Sequence, residues 1–317
     1  MNFLFRPLKL IVLRQKDFQK IREENTVLLN LITSKADEKF RMQSTGLVEA
    51  VVFSKDRALQ LHALIDSYFR YVKDPCKLHV LFSASSPSHR KAYETLFKHC
   101  QYRDIHVVEE QNFRQDVIRI LDQIQTPRLI FLVDDIVFKN PVSFESSFKY
   151  STDVFVFSLR LGTHLQSCYT FQKDQPLPSF RTDLTDDPNV LCWKWEDGVL
   201  DWNYPLSLDG HIFSTREIRI LTQSISFSNP NSYERHLQQF NKLFLSRFGL
   251  CYSDSIVMNL PVNKVQKENK NIAGSVHQDE LLDQWERKLS IDFEKFAGYR
   301  NQSAHEELNI PFKKRTF

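Results

Sequence analysis

Two adjacent acids, Asp134 and Asp135, interrupt the apolar run LIFLVDDIVF at residues 129–138. An apolar run of this length, closed by charge, reads as a buried strand whose exit carries the acids. Hard carboxylate oxygens at such an exit suit Mg2+ or Mn2+ rather than zinc. A divalent ion held there could bridge the protein to a diphosphate and neutralise it as a leaving group. The competing reading of the same pair is a solvated strand terminus or a helix cap.

Those acids need elements to hold them, and the preceding chain supplies an alternating pattern. VEAVVFS (48–54) reads as a strand, and Ala58 to Tyr71 as a helix with Leu61, Leu64, Ile65 and Tyr68 at packing intervals. Strands over Lys77 to Ser83 and Ile105 to Val108 alternate with helices over Ser88 to Cys100 and Gln115 to Ile124, before the strand at 129–133. The β-α-β order predicts an α/β fold with a mainly parallel central sheet and helices on both faces. Ligands of such sheets gather beyond the C-terminal strand ends, where residues 54–57, 83–86 and 134–135 would converge.

Further on, a strand is expected over Val154 to Leu159, and residues 162–206 read as a long irregular loop rich in Pro, Asp, Trp and Tyr. Extended structure resumes at Gly210 to Ser214, and one helix is expected from Ser232 to Phe248. A strand over Ser255 to Leu260 and a helix over Gln278 to Leu289 follow, and PFKKRTF closes the chain as a basic tail.

The 317 residues, 42% hydrophobic and 26% charged, suffice for a substantial core. A formal charge of +3 gives no bulk electrostatic reason to expect nucleic acid. The five cysteines show neither CxxC spacing nor a metal pattern, which suggests free thiols in a reducing compartment. No apolar run reaches a membrane-spanning length of about 18 residues. MNFLFRPLKLIVLR lacks a signal-peptide core and cleavage site. It reads as a docked strand or arm, or as a peripheral contact with an anionic membrane. Residues 16–43 read as an amphipathic helix, and a cytoplasmic location is expected, with the cytoplasmic face of a membrane as the alternative.

VVFSKDRALQLHALIDSY at 51–68, SASS at 83–86 and FLVDDIVF at 131–138 together resemble the nucleotide-binding half of the GT-A fold, that of nucleotide-sugar-dependent glycosyltransferases. The resemblance extends over about residues 48–262 and is to a superfamily. It departs from the strict Asp-x-Asp motif because Ile136 occupies the third position. It implies residues 1–46 as an N-terminal arm and helix, 47–262 as a catalytic domain, and 263–317 as a C-terminal segment. Within the catalytic domain, 47–140 would bind the nucleotide and 141–262 the acceptor.

The resemblance also implies roles. Asp135 would ligate Mn2+ or Mg2+ directly, with Asp134 on ribose or reaching the metal through water. Ser54, Asp56, Arg57 and Ser85 would face the nucleotide of a UDP-, GDP- or CDP-sugar, Arg57 answering phosphate; their other reading is helix capping and surface ion pairing. Arg114 would clamp diphosphate and Asp116 a sugar hydroxyl, with Asn112 either beside them or capping a helix. NPNSYERHLQQF resembles the helix start that supplies the base of inverting members, making Glu234 the candidate base; its rival explanation is a capping box with Asn231. Asp209, in LDGHIFSTREI, is the second candidate, and Glu196 and Asp197 the third. His277, and less so His211, would add a metal or diphosphate contact. Trp193, Trp195, Trp202 and Tyr204 would stack on a sugar, unless they are ordinary packing.

The implied activity is metal-dependent transfer of a sugar to a saccharide or lipid-linked glycan. A sugar-phosphate nucleotidyltransferase is the alternative, though SKDRALQ lacks the glycines its phosphate loop would need. A non-catalytic nucleotide- or carbohydrate-binding protein of the same fold is a third reading. Oligomeric state has no signature in the sequence.

Overall fold

Strand β1, Val48–Lys55, is buried along its length until Lys55, as a strand covered on both faces must be. Its neighbours explain why. Val48, Ala50 and Val52 pack into a core with Leu61, Leu64, Ile65 and Tyr68 of helix α1, Ala58–Tyr71. Phe53, pointing the other way, has its ring centroid 5.3 Å from Phe113 and 5.8 Å from Phe131. The computed structural model describes residues 26–31, 48–261 and 278–317, and the chain divides into compact units 1–42 and 43–317. Of the first unit, residues 26–31 are helical. The expected N-terminal arm and His277 lie outside the described residues.

The first half of the second unit follows the expected order closely. After β1 and α1 come β2 (Leu78–Ser83), α2 (Pro87–His99), β3 (Ile105–Glu109), α3 (Phe113–Gln123) and β4 (Arg128–Val133). β3, β2, β1 and β4 lie side by side, all parallel. The chain runs outward from β1 to β3 and returns to pair β4 with β1, so the seam between β1 and β4 is a topological switch point. Asp134 and Asp135 follow β4 at that seam, ahead of β5 (Ile136–Phe138).

The second half corrects several expectations. The central sheet has eight strands in the order β3-β2-β1-β4-β10-β6-β11-β9; six run one way, as expected of a mainly parallel sheet, and β10 and β9 run against them. Strand β10 (His211–Ser214) is antiparallel to both β4 and β6 (Phe155–Ser158). β11 (Phe248–Tyr252) is parallel to β6, and β9 (Val190–Lys194) closes that edge antiparallel to β11. Both β9 and the hairpin of β7 (Ser167–Cys168) and β8 (Lys173–Asp174) fall inside the stretch expected to be irregular.

After β10 come α4 (Thr215–Gln223) and α5 (Pro230–Leu237). The single helix expected to reach Phe248 instead breaks after Leu237 into a 3-10 turn and α6 (Asn241–Leu245), and Phe248 opens β11. Gly249 permits the close pairing of this strand: a Cβ there would lie 2.3 Å from the Trp193 ring, so only glycine lets β11 approach β9.

The described chain after β11 packs within the second unit. β12 (Val257–Asn259) pairs with β5, and α7 (Gln278–Glu286) ends before β13 (Leu289–Ile291), which pairs with β14 (Phe312–Lys314). The expected basic tail is therefore tied down. Arg315 lies 3.4 Å over the Trp285 ring, and Phe317 stacks on His99 at 3.6 Å. Among the described residues, no helix is long and apolar enough to cross a membrane, and all five cysteines are free.

Candidate active site

The seam between β1 and β4 brings the acid pair against the first loop. Asp134 is buried, and its carboxylate is fully engaged. Oδ2 accepts from Ser54 Oγ at 2.9 Å and Lys55 N–H at 3.2 Å, and Oδ1 accepts from Arg57 Nη1 at 2.9 Å. Asp134 thus clamps the two strand ends together. Asp135 is less committed: Oδ1 accepts from Asn259 Nδ2 at 3.1 Å, and Oδ2 stands 3.5 Å from Arg57 Nη1. Burial pushes the Asp135 carboxyl up to about 6; Arg57 opposes this, while the negative charges of Asp134 and Asp209 reinforce it. Asp135 is therefore the acid short of positive charge.

The loop after β1 is held by its own bonds. Asp56 has φ of 56°, a left-handed conformation that costs a non-glycine residue about 1–3 kcal/mol. Its Oδ1 accepts from the N–H of exposed Ser85 at 2.7 Å, tying the loops after β1 and β2 together. Tyr93, on α2, places its hydroxyl 2.6 Å from Ser54 Oγ and accepts from Arg57 N–H at 3.0 Å.

The cluster around α3 is built differently from the expectation. Asn112 caps the helix by accepting from Gln115 N–H at 3.1 Å. Buried Asp116 accepts from the N–H groups of Gln111 and Asn112, both at 2.8 Å. Arg114 donates to the carbonyls of Ile225 and Gln223 at 2.8 and 3.1 Å. The Arg114 bonds join α3 to the end of α4 and the segment after it.

A second acidic group stands at the same sheet end. β10 runs opposite to β4, so its start lies by the β4 exit: Gly210 N–H donates to Phe131 O at 2.8 Å. Gly210 takes φ of 76°, which glycine adopts freely, to carry the chain from Asp209 into β10. Arg160, buried just after β6, reaches Asp201 Oδ1 at 2.9 Å and Asp209 Oδ2 at 3.4 Å. His305 Nε2 is also 3.4 Å from Asp209 Oδ2. Burial works against the Asp209 charge, but the His305 hydrogen bond and the Arg160 and His305 charges outweigh it and hold Asp209 below the usual carboxylate range.

Glu234 reaches this group from α5. Its Oε1 accepts from Ser207 Oγ at 3.1 Å and Leu208 N–H at 3.0 Å. Burial, reinforced by the negative charge of Asp209, pushes its carboxyl up to about 7. The capping box that explains the start of α5 does not involve Glu234: Asn229 and Ser232 form it. Two interacting acids are thus driven in opposite directions, a separation found where acid and base duties differ.

Other sequence candidates lie elsewhere. Trp193, Trp195 and Trp202 are fully buried and pack on one another with centroids 4.7 and 4.9 Å apart, so they form a core rather than a sugar platform. Glu196 and Asp197 are exposed. His211 is buried, donates from Nδ1 to Pro205 O at 2.9 Å, and is held near 4 by burial, so it stays neutral within the core. Among the described residues no group of three or more His, Cys, Asp or Glu is arranged to hold a metal ion.

Arg160, Ser207, Asn259, His305 and Tyr93 escaped the reading from sequence. Arg160 had a usable signal, since it directly follows an expected strand whose exit faces the ligand side. His305 had none, lying in an aperiodic loop.

No family model matches the chain. The chain is 24% identical over 303 residues to the bifunctional glycosyltransferase pgtA of Dictyostelium discoideum, a match covering 84% of this chain and 38% of that protein. It therefore spans well under half the length of that relative. Similar solved structures include residues 1–349 of S. aureus TarS, at a TM-score of 0.41 and 12% identity, covering 67% of this chain and 59% of that one. The WbbM bifunctional glycosyltransferase in its apo form gives 0.35 and 14%, covering 69% and 40%. Mannosyltransferase PcManGT from Pyrobaculum calidifontis in complex with GDP-Man and Mn2+ gives 0.29 and 12%, covering 44% and 45%. At these TM-scores the superpositions carry no weight, and the fold rests on the strand order described above. In sequence, the chain is similar to a glycosyltransferase over most of its length.

Proposed function

We propose that this chain is a GT-A-type glycosyltransferase that moves a sugar from a nucleotide-diphosphate donor to a hydroxyl of a saccharide or lipid-linked glycan, with inversion. The observation that carries the reading is the meeting, at one sheet end, of a charge-deficient acid at the switch point, Asp135, with the oppositely shifted pair Asp209 and Glu234. Sequence similarity to a glycosyltransferase supports the same reaction class.

In this reading the bond from the acceptor oxygen to the anomeric carbon forms as the bond to the diphosphate breaks, its electron pair leaving on the diphosphate oxygen. Glu234 takes the acceptor proton, since a carboxyl near 7 is matched to proton exchange at neutral pH. Oε1 is occupied by Ser207 and Leu208, and among the described residues Oε2 accepts no hydrogen bond, so Oε2 is the receiving atom. Asp209 stays ionised beside Arg160 and His305. Arg57 contributes fixed positive charge at the switch point.

The residues fit a divalent cation at Asp135. Such ions are commonly held by one or two carboxylates with phosphate oxygens and water rather than by an all-protein cage, and Asp135 is a hard ligand whose positive neighbour, Arg57 at 3.5 Å, does not offset its burial and the nearby negative charges. Bound there, Mn2+ or Mg2+ would neutralise charge on the departing diphosphate.

Calorimetry with UDP, GDP and CDP, with and without Mn2+, tests the reading. Binding of one nucleotide should strengthen with Mn2+, and Asp135→Ala should abolish that gain. Absence of binding by all three, or a gain retained in Asp135→Ala, would sink it.

A further inference from the structure

Ser207 is fully buried in the turn before β10, yet its hydroxyl meets three partners. It accepts from Arg160 Nη1 at 2.8 Å and from Asp209 N–H at 3.2 Å, and donates to Glu234 Oε1 at 3.1 Å. A hydroxyl has one proton and two lone pairs, so its whole capacity is used. Directions are fixed as well. Neither the guanidinium nor the backbone N–H can accept, which leaves the carboxylate as the destination of the Ser207 proton. Arg160 continues the chain of contacts to Asp209 Oδ2 and Asp201 Oδ1.

We propose that Ser207 is a positioning residue of the active centre, whose hydroxyl joins Glu234, Arg160 and Asp209 into one unit. The assignment rests on the transferase reading of the cleft and deepens it. Ser207 and Leu208 N–H both hold Oε1, so the carboxyl cannot rotate without losing two bonds, and Oε2 is left to exchange the acceptor proton. The Asp209 N–H bond also sets the distance between the two acids from the backbone.

The charged and titratable groups that face Glu234 are Asp209, Arg160 and Tyr204. Asp209 disfavours the ionised Glu234, while Arg160 and the two hydrogen bonds favour it. Removing the Ser207 hydroxyl takes away a donor to the carboxylate and the link that holds Arg160 nearby. Ionisation of Glu234 should then need a higher pH.

Carboxyl 13C NMR on protein labelled at the glutamate side-chain carboxyls reads this directly, with Glu234→Gln identifying the signal by its disappearance. In Ser207→Ala the Glu234 midpoint should rise by about 0.5–1 pH unit, and the pH limb of sugar transfer should move with it. Ser207→Thr, which keeps the hydroxyl, should restore both. If Ser207→Ala does not fold, Ser207→Cys, similar in size but a weaker donor, is read in the same way. An unchanged Glu234 midpoint in the hydroxyl-deleted protein overturns the proposal whatever the transfer assay gives. A shifted midpoint in a protein that turns over no UDP-, GDP- or CDP-sugar supports the coupling and counts against the transferase reading instead.

Discussion

Arg57 donates from Nη1 to Asp134 Oδ1 at 2.9 Å across the seam between β1 and β4, with 14% and 5% of the two side chains exposed. The neighbouring acid, Asp135, is 3.5 Å from the same nitrogen. One acid is structural and the other is held in reserve. Removing one partner of a buried ion pair leaves an uncompensated charge and costs about 3–5 kcal/mol. Arg57→Gln should lose stability on that scale in urea unfolding. Asp135→Asn should lose little at pH 8, because it removes a carboxyl that burial already pushes up to about 6, and yet it should lose Mn2+-dependent nucleotide binding. Equal destabilisation by the two variants would contradict this division.

In the proposed reaction Glu234 links activity and stability to pH with opposite signs. Its carboxyl is raised to about 7, so its contribution to stability is complete below about pH 4.5 and is lost as pH rises through about 7. Glu234→Gln lacks that loss. Relative to wild type, its melting temperature should improve steadily between pH 5 and 8, by the equivalent of about 1–3 kcal/mol. Sugar transfer should nevertheless fall about 10²–10⁴-fold. A melting difference independent of pH would show that Glu234 is not ionising in this window.

His305 and Asp209 should titrate as partners. Burial works against the His305 charge, but Asp209 outweighs it and holds the imidazole above its ordinary 6.5. The His305 contribution is thus fully present below about pH 6.5, while Asp209 stays ionised, and is lost as pH rises through the folded value. Imidazole NMR titration of Asp209→Asn should show the His305 midpoint falling below the wild-type one. A midpoint unmoved by that substitution would dissolve the pair.

Two glycines test packing against backbone strain. Gly249→Ala would drive a Cβ into the Trp193 ring, at 2.3 Å, and should cost about 1–3 kcal/mol or more through overpacking. Gly298→Ala meets nothing within 4 Å, so only its φ of 70° resists, at about 1–2 kcal/mol. Thermal melts should also show a near-ultraviolet tryptophan change in the first variant and none in the second.

Much of the first half of the second unit was legible because its signals are local. Apolar runs of strand length, helical spacing in Leu61, Leu64, Ile65 and Tyr68, and the β-α alternation produced the helix Ala58–Tyr71 residue for residue and placed the acid pair at a strand exit. The second half was less so. Phe240, Phe244 and Phe248 keep a helical interval, yet Phe248 pairs with Lys194 in a strand, and Gly249 beside it meets Trp193 across β11 and β9, a pairing with residues some 55 positions earlier in the chain. Tryptophans beside acids resemble a sugar platform in sequence, and their full burial depends on neighbours far along the chain.

By itself, the sequence determined the parallel βα core and the presence of acids at its edge, since hydrophobic periodicity and strand termini are properties of neighbouring residues. The tertiary structure alone decided how those acids divide their duties. Asp134 is saturated by Ser54, Lys55 and Arg57; Arg160 and His305, 49 and 96 residues away in the chain, hold Asp209 down, while burial and the Asp209 charge push Glu234 up. A carboxylate's charge depends on how much water it has lost and which donors reach it, and both are set by segments that meet only in the fold.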